Sequence, residues 1–229
     1  MSARPQENRL LASLLPADRA RLLARTTEVT FGHRDVVYSA GGAMEYTYFP
    51  RAGVLSAVVL MEDGAGAEVA GIGPEGVAGV STALGADRSN ELVLCQVAPC
   101  PCHRMSAAEF AAEVAKGGAV RDAVHRYVRA ALTVSARQTA CNCLHPADER
   151  CARWLLQCHD RAAADEFPLT HEFLSQMLGV RRATVTVVAG TLQTAGLITY
   201  KNGVVRVRDR GGLEGAACEC YAAIRNAFA

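Results

Sequence analysis

No stretch of the 229 residues offers eighteen consecutive uncharged apolar positions, so nothing in the sequence reads as a membrane span. The first thirty residues mix charge with Leu and Ala and hold no uninterrupted apolar core of a secretory leader. Net charge is also missing: the formal total is +1, so no global field announces a polyanionic partner. The distribution is mildly asymmetric, with +3 on residues 150–229 and −2 on residues 1–149. The usual marks of an enzyme are absent too. The sequence has no nucleophile elbow, no phosphate-cradling Gly-Lys-Ser/Thr loop and no H-E-x-x-H, and most of the six histidines are isolated, so no catalytic residue is assigned. The nine cysteines include none before Cys95 and form no C-x-x-C pair. An odd number of thiols without a leader argues for a reducing compartment, and the expected location is cytoplasmic.

What is present is organised in three textures. Leucines at 10, 11, 14, 15, 22 and 23, with Pro16 opening a second segment, predict two short helices. From Thr27 to about Val97, short β-rich runs (36–38, 46–49, 54–61, 67–72 and 91–97) alternate with glycine-rich turns roughly every ten residues. That pattern predicts an antiparallel barrel or sandwich. After Pro101 the pattern becomes helical, with Ser106 and Glu109 spaced as a capping box and Gly117-Gly118 as the break. Residues 119–142 form the longest helical candidate. On it Val120, Val124, Tyr127, Ala131, Val134 and Gln138 recur as a heptad seam, which predicts dimerisation through that face. Val128 and Leu132 lie on another face, free to pack on the helix's own barrel.

The third texture carries the function. Thr170 can cap the helix HEFLSQML, Gly179 ends it, and a second helix is expected over 181–195. Leu197–Tyr200, Lys201-Asn202-Gly203 and Val204–Val207 read as a hairpin turning at Asn-Gly. Helix, glycine turn, helix and hairpin make a winged helix-turn-helix. Val185, Val188, Ala189 and Leu192 would face the first helix. The outer arc would carry Ala183, Thr186, Val187 and Gly190, with Arg182 on its flank. Short side chains let a helix sit deep in a major groove, and Thr and Val methyls can meet thymine methyls. The expected DNA contacts are Thr170, His171, Arg181, Arg182, Thr184, Thr186, Val187 and Lys201. Arg182 would read guanine, while Arg181, Thr170, His171 and Lys201 would position the duplex through phosphates.

With these features in order, the chain resembles the Crp/Fnr family of bacterial transcription regulators over nearly its full length. The carriers are GIGPEGVAGVSTALG (71–85), the long helix, and LTHEFLSQMLGVRRATVTVVAGTLQTAGLI (169–198). The resemblance implies an α+β fold in three parts: a cyclic-nucleotide-binding-like antiparallel β-roll over 1–118, a dimerisation helix and hinge over 119–145, and the winged helix over 146–229. It also implies a homodimer on a roughly two-fold symmetric double-stranded DNA operator, with RNA polymerase as a further partner if the protein activates. Arg182 stands where the family's main guanine-reading arginine stands. Ala183 and Val187 replace the Glu and second Arg of cyclic-AMP-dependent members, so a different operator is expected. Cyclic-nucleotide binders carry Gly-Glu where this chain has Gly79-Val80, and Arg88 is followed by Ser-Asn, so no cyclic nucleotide is expected. Members that hold an iron–sulfur cluster use N-terminal cysteines, which this chain lacks. The cysteines are therefore expected as small buried hydrophobes, without metal; Cys141, Cys143 and His145 are the residues to suspect otherwise. A thiol- or metal-linked redox sensor of the same architecture, or a β-roll regulatory subunit that does not act on DNA, are the alternatives.

Overall fold

A computed structural model describes residues 7–162 and 164–228. It divides into two compact units, residues 1–57 with 71–131 and residues 58–70 with 132–229.

The first unit opens with α1 (Arg9–Ala12) and α2 (Pro16–Leu23). The strands that follow are β1 (Thr27–Phe31), β2 (Val36–Tyr38), β3 (Tyr46–Pro50), β4 (Val54–Leu60), β5 (Gly66–Ile72), β6 (Leu92–Val97) and β7 (Cys100–Ser106), the outer end of β4 and most of β5 falling in the second unit. They form two sheets, ordered β1-β7-β3 and β2-β6-β4-β5. The central strand of the first sheet is β7, antiparallel to both neighbours. This corrects the expectation that the chain turns helical after Pro101. Cys100 and Cys102 point inward while Pro101 and His103 alternate with them, a period of two that the Cys-Pro-Cys composition disguises. Asn8 pins the helical opening to the sheets: its buried amide donates to the carbonyls of Pro50 (2.9 Å) and Gly76 (2.8 Å) and accepts from Leu11 N–H (3.0 Å).

Next come α3 (Ala107–Ala115) and α4 (Gly118–Leu144), separated by Lys116 and Gly117, with Gly117 and the first residue of α4, Gly118, both at positive φ. Ser106 stands at the N-cap of α3 without a side-chain bond, so the capping box is not made. The helix is anchored instead by Glu113, whose enclosed carboxylate meets Lys116 (2.5 Å), Arg25 (3.1 Å) and Arg21 (3.2 Å). The core joins Leu10, Leu11, Leu14 and Leu22 to Phe49, Phe110 and the start of α4.

The heptad seam is corrected by this core. Val120 and Val124 are 2% and 0% exposed inside it, and Tyr127 packs against it. A Cβ built on Gly76 would fall 2.3 Å from the Tyr127 ring, so the glycine makes room for that ring. Further along, Val134 packs against Cys141, Cys218, Cys220 and Ile224, and Ala131 and Gln138 are half-buried. Leu132, assigned to the protomer's own barrel, is 68% exposed. Periodicity reveals that a helix has two apolar faces but not which one turns inward; here the leucines of the opening helices decide it.

In the second unit α5 (Ala147–Arg161) runs through the core, and Trp154 donates to Glu68 (2.7 Å). Then follow β8 (Glu166–Pro168), α6 (His171–Leu178), α7 (Arg182–Thr194), β9 (Ile198–Lys201), β10 (Val204–Val207), α8 (Arg210–Ala216) and α9 (Cys220–Ala227). The charged stretch before Thr170 supplies β8, antiparallel to β10, in a sheet ordered β8-β10-β9. Arg210 ties α8 back to α5 and α9 through His159 (2.8 Å), Asp160 (2.6 Å) and Tyr221 (2.6 Å). Among the described residues no helix is long and apolar enough to cross a membrane.

Candidate nucleic-acid interface

The site is built from α6, the turn after it, α7 and the β9–β10 hairpin. Thr170 caps α6 by accepting from Phe173 N–H at 3.1 Å, with Glu172 in the first turn. Gly179 ends the helix in the left-handed conformation, where its Cα hydrogens avoid the clash a side chain would meet. Val180 N–H returns to the Ser175 carbonyl (3.0 Å), and Arg150 covers the Leu178 carbonyl (3.0 Å). With the end of α6 satisfied, the chain turns through Arg181, the N-cap of α7.

Val185, Val188, Ala189 and Leu192 are the buried face of α7. Arg182, Ala183, Thr186, Val187 and Gly190 are exposed, and Val187 is 69% exposed. A large apolar side chain on the outside of a β-branched helix gains nothing from water and lowers helix propensity. Thr184 is half-buried, whereas Arg181 and Lys201 are exposed. The hairpin turns at Asn202 and Gly203, both at positive φ, as a tight two-residue turn requires.

His171 is not a free surface residue. Its Nδ1 lies 3.1 Å from Thr186 Oγ1 and its ring centroid 4.6 Å from that of Tyr200. Tyr200 in turn donates its hydroxyl to the Leu169 carbonyl and its N–H to Gln193 Oε1 at 2.7 Å. Tyr200 and Gln193 therefore lock the wing to α7. Sequence reasoning passed over both, because a Gln and a Tyr seven residues apart carry no motif.

The cysteines separate into groups. Cys95, Cys100 and Cys102 are buried among the strands, with Cys100 and Cys102 Sγ 3.7 Å apart. Cys151 and Cys158 are buried on α5, where loss of solvent pushes the Cys151 thiol up to about 12. Cys143 is exposed, so it leaves the suspected group. Cys141 and His145 meet Cys218 and Cys220 instead, with one ligand atom of each lying within 4.8 Å of the others. In the first unit Arg88 is exposed and donates to the Gly41 carbonyl at 2.7 Å.

Residues 149–216 match the family model of the Crp-like helix-turn-helix domain. No curated protein matches the chain by sequence. Among solved structures it is similar to FixK2 from Bradyrhizobium japonicum, at 19% identity and a TM-score of 0.68 over 84% of this chain and 98% of that one. A transcriptional regulator of the CRP family from Thermus thermophilus gives 20% identity and a TM-score of 0.68 over 84% and 99%. CLP, a c-di-GMP responsive global regulator of Xanthomonas campestris, gives 15% and 0.64 over 83% and 98%. The chain has the fold of the Crp/Fnr-type transcription regulators, and its residues 149–216 carry a Crp-like helix-turn-helix domain.

Proposed function

We propose that this protein is a cytoplasmic, homodimeric transcription regulator that places α7 in the major groove of a roughly two-fold symmetric operator. The observation that carries this reading is the outer face of α7, where Val187 stands 69% exposed among Ala183, Thr186 and Gly190, flanked by Arg182. In water such a face is a cost. Against thymine methyls and base edges it is a reading surface. Arg182 is the base-reading residue, through guanine O6 and N7; Arg181, Thr170 and the wing Lys201 hold phosphates. His171 supports α7 through Thr186 and Tyr200, and Thr184 lies at the edge of the contact.

The second copy docks on the outward face of α4 at Leu132, not on the seam of Val120, Val124 and Tyr127. Support comes from the exposure of Leu132 on a 27-residue helix whose other apolar face is already spent. Two α7 helices of such a dimer reach half-sites about 34 Å apart. If the protein activates, RNA polymerase is its next partner. Cyclic nucleotide is not the effector: Gly79 is followed by Val80 in place of a carboxylate, and Arg88 is turned onto the Gly41 carbonyl.

Selection of genomic fragments on the purified protein tests the reading. Recovery of a two-fold symmetric motif without added nucleotide is the expected result. Binding only as a salt-sensitive, sequence-blind complex would refute it.

A further inference from the structure

We propose that Cys141, His145, Cys218 and Cys220 form a tetrahedral site for one Zn²⁺ ion, which fastens the C-terminal end of α4 to the start of α9. The inference goes beyond the DNA-reading role and does not depend on it.

The geometry is that of a preformed ligand set. The four ligand atoms lie within 4.8 Å of one another. Cys141 and Cys218 Sγ are 3.5 Å apart, and Cys220 Sγ lies 3.7 Å from His145 Nδ1. A tetrahedron with Zn–S near 2.3 Å and Zn–N near 2.0–2.1 Å has edges of about 3.5–3.8 Å. One helical turn brings Cys141 and His145 to the same face of α4 and its continuation, and Cys218 and Cys220 flank the first turn of α9. The tight C-x-C spacing that argues against a metal site when the sequence is read pair by pair loses its force, because Cys218 and Cys220 supply only half of the set and Cys141 with His145, four residues on, supplies the other half.

The surroundings fit a bound cation as well. His145 Nε2 lies 3.2 Å from Glu219 Oε2, so the ring is held by a carboxylate at one nitrogen and presents the other to the thiols. Histidine ligands are commonly oriented in this way. Arg153, only 3% exposed, lies near Cys141 and Cys218, and its Nε has no partner. Zn²⁺ displaces one proton from each thiol to solvent, three in all, with no change of oxidation state. Three thiolates and one Zn²⁺ carry a net charge of −1, which Arg153 balances. The apolar core at this point is thin: beside the three cysteines it holds Ile224, with Val134 half-buried against them. A metal supplies the cohesion that so few apolar groups cannot.

The test uses the full chain purified under reductant. Elemental analysis should find one zinc per chain. Chelation should release it and expose three further thiols to a thiol reagent, and Co²⁺ added to the stripped protein should give the thiolate charge-transfer and intense ligand-field bands of a tetrahedral site. Cys143→Ser should keep the full metal complement, while Cys220→Ser and His145→Gln lose it. Because those two variants could misfold, Glu219→Gln is the second probe: its carboxylate is 71% exposed, and its loss should weaken Zn²⁺ binding about 10–100-fold with the helical spectrum unchanged. Folded wild-type protein without zinc and without a thiolate band on adding Co²⁺ would overturn the proposal. So would an iron–sulfur chromophore, a Cys141–Cys218 disulfide in metal-free protein, or full zinc retention in both ligand variants.

Discussion

His171 on α6 and Thr186 on α7 are joined at 3.1 Å, Nδ1 to Oγ1, across the angle of the helix-turn-helix. The Thr186 hydroxyl donates to the Arg182 carbonyl at 3.2 Å, so its oxygen accepts from the imidazole N–H. The hydroxyl is therefore spent within the protein, and the methyl is what Thr186 has left to offer a groove. Thr186→Val keeps that methyl and removes the bond. We expect it to lower stability by about 1 kcal/mol in denaturant melts and to leave the selected DNA motif unchanged. A changed motif at unchanged stability would mean that the hydroxyl reads a base.

Val187 separates folding from binding. It contributes nothing to the buried face of α7, so Val187→Glu should alter stability by no more than about 0.5 kcal/mol. A carboxylate there would be desolvated beside phosphates, and DNA affinity in a shift assay should fall more than about 100-fold. Undiminished binding would remove α7 from the groove.

Glu113 gives the first compact unit a pH dependence of known sign. The Lys116 ammonium bonded to it, opposed by burial and helped by Arg21, holds its carboxyl below the usual range. A group whose pKa is lower folded than unfolded stabilises at pH above its unfolded value and ceases to do so as pH falls through its folded value. Glu113→Gln should therefore melt a few degrees lower near neutral pH. The gap should close in acid, below the ordinary carboxylate range near 4.5. A gap independent of pH would mean that packing, not charge, is what the residue supplies.

Leu132→Glu tests the second copy. Placed on the outward face of α4, the charge should leave the monomer folded and weaken self-association by about tenfold or more in sedimentation. The same experiment on Val124 would unfold the core rather than split a dimer, because Val124 is fully enclosed.

How far the sequence could be read follows from which features are local. The helix-turn-helix was legible because its signals sit within thirty-four residues: Thr170 as cap, Gly179 as stop, Asn202-Gly203 as turn. The four-residue face Val185, Val188, Ala189 and Leu192 needed only a helical period. What stayed hidden depends on distance or direction. β7 looks like neither strand nor helix until β1 and β3 pair with it. The heptad seam of α4 was visible, but its orientation is set by Leu10, Leu11 and Leu14, more than a hundred residues earlier. Cys141 and Cys218 are seventy-seven residues apart, and no spacing rule joins them.

The central claim, that α7 reads DNA through Arg182, is tested most directly by measuring affinities of wild type, Arg182→Ala and Lys201→Ala on the selected operator and on variants mutated one base pair at a time. The account predicts that Arg182→Ala loses discrimination at a single G·C pair per half-site, worth about 1–3 kcal/mol, while Lys201→Ala weakens every sequence about equally and lowers the salt slope. Identical, sequence-independent losses from both substitutions would contradict it.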